Sequence, residues 1–198
     1  MSGESNVKMY SVTKRILIRL SKQQSTPAGK AMLARLRYSV GKPISEAKEA
    51  WPILFENVPE NFLSQYEDPS YEEIAILTAI QLYALYQQGM SHNVFDDKAK
   101  KFQNIGYSLK SIRTGVDTAA VDRRFNTMIT ATTFEELVHH LRQLITLLKS
   151  KAPETKIDFA RLATDLYWFL RDYQETVRLN WARQYYKHSS EEEAKNDN

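Results

Sequence analysis

The sequence predicts an all-α protein of two small helical bundles joined by a polar linker, and three observations carry that expectation. Apolar residues recur at the three-and-four spacing of amphipathic helices along most of the chain. Helix caps and stops punctuate these runs, while no alternating strand pattern, internal repeat or low-complexity tract occurs. A polar stretch, Ser91 to Gln103, separates two sets of helices. The expected organisation is therefore a bundle over 1–90, a linker over 91–103, a second bundle over 104–188 and a disordered acidic tail over 189–198.

Met9 to Leu20 reads as the first helix, with Lys14, Arg15, Arg19 and Lys22 on its outside and a break through Gln23 to Ser25. Thr26 is an N-cap and Pro27 suits the first helical position. The second helix then builds a seam from Leu33, Leu36 and Val40 before Gly41 stops it, with Lys30 and Arg37 together just off that seam. Ile44, Ala47, Trp51, Leu54, Phe55 and Val58 repeat the helical spacing, although Pro52 must kink or restart that element. Ser70 and Glu73 form a capping box for a helix from Tyr71 to about Gln88, ended by Gly89. That helix is apolar nearly all round, so it belongs at the centre of a bundle.

Ser108 to Arg113 reads as a short helix closed by Gly115, followed by a longer one from Ala119 to Ala131. Thr133 with Glu136 opens the next, whose seam is Phe134, Leu137, Val138, Leu141, Leu144, Ile145 and Leu148. His139, Arg142, Thr146 and Lys149 share a polar stripe beside that seam, a geometry that can turn cations toward a partner. Asp158 caps the last element. One long or bent helix from Phe159 through Leu166, Phe169, Val177, Trp181 and Tyr185 is expected to finish the fold.

Composition narrows the function. With 198 residues, 42% of them hydrophobic, the chain can bury one sizeable core or two small ones. There are no cysteines, so disulfides, thiolate metal sites and cysteine nucleophiles are excluded. The longest apolar run, Ile74 to Tyr86, is too short to span a bilayer, and the start lacks a signal-peptide core. A cytoplasmic protein with no membrane partner is expected.

The net charge of +3 conceals strong segregation. Residues 1–48 are strongly basic, 49–97 contain no lysine or arginine, 98–188 are basic again, and 189–198 are acidic. Two basic segments sharing a face would attract polyanions despite the mild overall charge.

Chemistry finds little support. His139 and His140 are adjacent and point apart on a helix, so they cannot chelate as an i, i+4 pair would. No HExxH, P-loop, GxGxxG or GxSxG motif occurs, so no enzyme activity, cofactor or small-molecule substrate is expected. Trp51, Trp168 and Trp181 fall on or beside apolar seams and suit core packing better than base stacking.

The arginines beside those seams are better placed for binding, because packing holds them still and a guanidinium fork bonds two phosphate oxygens. Arg35, Arg37, Arg113, Arg123, Arg124, Arg142 and Arg178 qualify. The competing reading is internal pairing, for instance Arg171 and Arg178 with Glu175, or Arg124 with Asp117.

Taken in order, GKAMLARLRYSVGKP with WPILF, AIQLYALYQQ, IGYSLKSIR, VDRRFNTMITATTFEELVHHLRQLITLLK, IDFARLATDLYWFL and VRLNWARQYY resemble the CasB family. CasB is the small subunit of the type I-E CRISPR surveillance complex, Cascade. The resemblance implies a non-catalytic, two-bundle helical subunit, present in two copies, that helps hold guide RNA, target strand and displaced strand beside the other Cascade subunits. Sequence discrimination would be delegated to guide pairing, leaving backbone contacts to the protein. By position, the resemblance carries over Arg35, Arg37, Arg113, Arg123, Arg124 and Arg142 as contacts; charge and placement add Lys30, Lys110 and Arg178. Tyr38 stands where many relatives carry a basic residue and is left out. Two other classes stay open: a free-standing helical adaptor with acidic and basic faces, and an enzyme whose site is assembled at an interface.

Overall fold

Seventeen residues with scarcely a polar side, Tyr71–Gln87, form the helix around which the others are arranged. The computed structural model describes residues 3–100, 102–114 and 118–187. In chain order its α-helices are α1 (Gly3–Gln23), α2 (Pro27–Tyr38), α3 (Trp51–Phe55), α4 (Tyr71–Gln87), α5 (Ile105–Lys110), α6 (Thr118–Ile129), α7 (Phe134–Lys151), α8 (Phe159–Leu170) and α9 (Gln174–Tyr186). The fold is all-α, as expected. No strand is present among the described residues, where only an isolated parallel bridge joins Phe95 to Ile157. None of these helices is long and apolar enough to cross a membrane.

The caps act where the sequence marks them. Thr26 Oγ1 accepts from the Gly29 amide at 3.0 Å, with Pro27 opening α2. Ser70 Oγ accepts from the Glu73 amide at 3.0 Å while Glu73 Oε2 accepts from the Ser70 amide at 2.6 Å, completing the box that opens α4. At α7 only half the box forms. Thr133 Oγ1 accepts from the Glu136 amide at 3.1 Å, but the Glu136 carboxylate reaches one residue further back, to the Thr132 amide at 2.7 Å.

α4 is enclosed by α1, α2, α7 and α8. Ala75 to Ala84 are all buried, so every side of the helix meets protein. Fully burying a Leu or Ile side chain contributes about 1.5–3 kcal/mol, and Ile76, Leu77, Ile80 and Leu82 are all buried. Among its buried polar groups the Tyr83 hydroxyl has no hydrogen-bond partner among the described residues, whereas Gln81 is paired. Gln81 Nε2 donates to Ser39 O at 2.8 Å and to Ser39 Oγ at 2.9 Å, tying the end of α2 to the middle of α4.

The end of the fold differs from the expected single helix. α8 stops at Leu170, and the chain turns through Arg171–Tyr173 before α9 begins. Asp172 adopts a left-handed backbone, φ 65°, which a short polar side chain tolerates and which a continuous α-helix cannot contain. Over Ile44 to Val58 the helix restarts at Pro52 as expected: the five-residue α3 begins at Trp51, and a 3₁₀ turn, Lys48–Ala50, precedes it. Asn104, not anticipated as a cap, accepts from the Tyr107 amide at 3.3 Å and starts α5 three residues before the expected Ser108. Gly115, Asp117 and the 189–198 tail lie outside the described residues.

Within 91–103, Val94 and Phe95 are buried. The Ile157 amide donates to Val94 O and the Asp96 amide to Ile157 O, both at 3.0 Å. α8 rests on α1 and α4, and one continuous apolar core draws on both halves of the chain.

Near the junction of α5 and α9, a Cβ on Gly106 would sit 2.1 Å from Trp181 O, a backbone atom that cannot swing aside. Gly106→Ala should therefore force the two helices apart and cost about 1–3 kcal/mol, read as a lower denaturation midpoint. A second stability test concerns Asp165, whose Oδ2 accepts from Trp181 Nε1 at 2.7 Å. Burial pushes its carboxyl up to about 6 against the opposing pull of that hydrogen bond. As pH rises from about 4 to about 6, the unfolded chain loses this proton while the folded chain keeps it, so the residue's contribution to stability falls across that window. Asp165→Asn should gain about 2 kcal/mol over the parent at pH 7 and lose that advantage by pH 4, measured by denaturant melts at both pH values.

Candidate nucleic-acid interface

α2 carries its cations on two sides. Arg35 and Arg37 are two residues apart, about 200° around a helix, so they cannot serve one surface. Arg35 lines a hollow with Arg19, Met32, Ile53 and Glu56. Close by, Arg15 Nη2 donates to Asn57 O at 2.9 Å and Arg19 Nη1 to Asn57 Oδ1 at 2.7 Å. Arg37 faces the other way. Together with Lys30, two turns earlier, it lines a cleft of about 460 Å³ that continues over Leu33 to Gln87, Gly89 and Ser91.

α7 brings further cations to that side of the molecule. Arg142 and Lys149 are seven residues apart and therefore stand on the same face, two turns from each other. Lys149 Nζ donates to Leu85 O in the last turn of α4 at 3.2 Å, where the helix dipole favours a cation. Partial burial and then the nearby Arg37 guanidinium hold the Lys149 ammonium below its usual pKa. Further along, Arg142 approaches Gly41, in the loop that follows α2. In the same loop Lys42 Nζ lies 3.8 Å from the Tyr38 ring centroid.

Among the described residues, the side chains of Lys30, Arg35, Arg37, Arg123, Arg124 and Arg142 form no ion pair with a carboxylate. Arg123 and Arg124 are both exposed on α6, and Arg124 lies outside the buried set of Val121, Phe125 and Met128. Being adjacent on the helix, their side chains diverge by about 100°, so each presents its guanidinium separately to solvent.

Three of the expected contact residues have partners within the protein. Arg113 Nε and Nη2 donate to the two oxygens of Asp122 at 2.9 and 3.4 Å, and its guanidinium lies 5.2 Å from the Tyr186 ring centroid. Burial pushes the Asp122 carboxyl up, but hydrogen bonds from Arg113 and Tyr185 outweigh it and hold the group below its usual range. Since Tyr185 also stacks on Phe125 at 3.8 Å, this cluster ties the end of α5 to α6 and α9. Arg178 donates from Nη1 to Glu175 Oε1 at 2.5 Å and from Nη2 to Ala131 O, over the Phe169 ring. The pairing of Arg178 with Glu175 is the competing reading that helical spacing allowed. Lys110, half-buried at the end of α5, is also engaged with other groups.

The structure thus brings Lys30 and Arg37 to one cleft with Lys149 near Arg37, places Arg142 two turns from Lys149 on α7, leaves Arg35 on the opposite flank of α2, sets Arg123 and Arg124 on α6, and builds Arg113 and Arg178 into the fold. Lys149 was visible in the polar stripe of α7 and Arg37 beside the seam of α2, but their nearness, across more than a hundred residues of sequence, was not. Lys42 sits in a loop, where periodicity carries no signal. Among the described residues no three His, Asp or Glu side chains converge as metal ligands would.

Comparison with known proteins follows the same lines. The sequence profile of the family described as CRISPR-associated protein Cse2 matches residues 32–186. Among solved structures, CasB from Thermobifida fusca is similar with a TM-score of 0.72 at 22% identity, over 91% of this chain and 98% of that one. A CRISPR-associated protein of the Cse2 family from Thermus thermophilus gives 0.64 at 27% identity, over 88% and 97% of the two chains. A chain of a structure described as a CRISPR RNA-guided surveillance complex gives 0.65 at 18% identity, over 96% and 99%. No curated protein matches by sequence. With the profile spanning most of its length and the same all-helical fold in these relatives, the chain belongs to the CRISPR-associated Cse2 family.

Proposed function

We propose that this chain is a non-catalytic subunit of a CRISPR RNA-guided surveillance complex, where its cations hold nucleic-acid backbone and stabilise the R-loop between guide RNA and target DNA. The observation that carries this reading is the cleft lined by Lys30 and Arg37, with Lys149 near Arg37, its basicity lowered by burial and then by that guanidinium. That geometry suits phosphate and ignores base identity. The cleft offers amides and aliphatic carbon beside its cations but no aromatic platform, so it lacks the means to read a base. Specificity then comes from guide pairing, and the protein supplies backbone electrostatics.

In this reading Arg142, Arg35, Arg123 and Arg124 extend the contact along the strands, while Arg113 and Arg178 act by holding α5, α6 and α9 in place. The partners are guide RNA, both target strands, the other subunits of the complex and a second copy of this chain, all in the cytoplasm. The solved surveillance-complex chain with the same fold supports the assembly part of this proposal.

Titration of single-stranded DNA at several salt concentrations tests the phosphate mechanism. Lys30→Ala with Arg37→Ala should lower the log-log salt slope by about 1.4, at about 0.7 for each phosphate no longer neutralised, equally on two unrelated oligonucleotides. An unchanged slope, or a weakening confined to one sequence, would contradict it. Thermal melts separate the two classes of arginine. Arg123→Ala with Arg142→Ala should melt within about 2 °C of the parent, because both side chains are exposed. Arg178→Met should lower the melting temperature by several degrees, since it strands Ala131 O and Glu175 at a cost of about 1–3 kcal/mol.

A further inference from the structure

Between the loop after α2 and the first halves of α4 and α7, the surface opens into a groove of about 700 Å³. Its floor is aliphatic, formed by Val40, Ile44, Ile74, Leu77 and Val138. Its two ends carry opposite charge. Glu67, Asp68 and Glu135 line one end, and Lys42 with Arg142 the other. Glu135 and Arg142 lie seven residues apart on α7, so the gradient runs over ~10 Å, two helical turns.

Phosphate would use the cations and gain nothing from the floor, while the acidic end would repel it. A nucleobase needs an exposed ring to stack on. Both aromatic rings that line it are already engaged, Phe134 with Phe169 at 6.3 Å between centroids and His139 edge-on with His140 at 5.3 Å. An aliphatic floor between opposite charges instead matches an amphipathic protein segment, whose apolar face leaves water as its own charges settle the direction of docking.

We propose that this groove receives an amphipathic helix of a companion protein subunit. Its aliphatic side chains at i and i+3 or i+4 rest on the floor, a basic residue meets Glu67, Asp68 and Glu135, and an acidic residue about two turns on meets Lys42. The inference rests on the surveillance-complex reading, because it requires companion subunits.

A photoreactive benzoylphenylalanine in place of Val138 tests it in the assembled complex. The expected product is a covalent link to a companion subunit, within a peptide that carries aliphatic residues between a basic and an acidic one. A link to nucleic acid, to a second copy of this chain or to a peptide without that pattern overturns the proposal, as does no link at all. Val138→Gln gives a second readout that leaves the charge unchanged. It should reduce retention of this chain in the complex at least tenfold in a salt wash while single-stranded DNA binding by the isolated chain stays within twofold of the parent; unaltered retention counts against the groove. If guide RNA and companion subunits co-purify but no such link forms, the groove assignment fails and the complex reading stands. If nothing co-purifies, the complex reading itself fails.

Discussion

A helix without a polar face cannot stand at a surface, and α4 imposes that constraint on everything around it. With Ala75 to Ala84 buried on every side, α1, α2, α7 and α8 must close over it from both ends of the sequence. Each enclosing helix then has an apolar stripe against the centre and cations at the margin of that stripe. Lys30, Arg37, Arg142 and Lys149 occupy such margins on α2 and α7. Burial of α4 therefore decides which cations become neighbours.

Arginine serves two roles in this molecule, and the difference lies in what fills the fork. Arg113 and Arg178 use theirs on Asp122, Glu175 and the main-chain carbonyl of Ala131, polar ties added where Phe125 already stacks on Tyr185. Among the described residues Arg37, Arg123, Arg124 and Arg142 form no ion pair with a carboxylate, and the last three are exposed. Their forks are therefore in a position to meet a phosphate.

Much of the fold was legible because its signals are local. Thr26, Ser70, Thr133 and Asp158 cap helices where spacing placed them, and the all-round apolarity of α4 marked the centre. The break at Asp172 was not legible, since the apolar seam continues across it from Leu170 to Val177 and only the left-handed backbone reveals the turn. Asn104 was missed for another reason: its cap precedes a helix of six residues, too short to build a periodic pattern. The candidate site was half readable. Which arginines border apolar seams follows from periodicity, whereas the pairing of Arg113 with Asp122 and the nearness of Arg37 to Lys149 depend on packing between distant segments.

The groove and the cleft divide the surface by chemistry, with grouped cations suited to phosphate and an aliphatic floor between opposite charges suited to protein. The most direct test of the central claim is a structure of the chain assembled with guide RNA and target DNA. The account predicts phosphate oxygens within hydrogen-bond reach of Arg37, Lys149 and Arg142, and no base edge among their partners. Nucleic acid running across another face, with these three side chains bonded to protein or left in water, would contradict it.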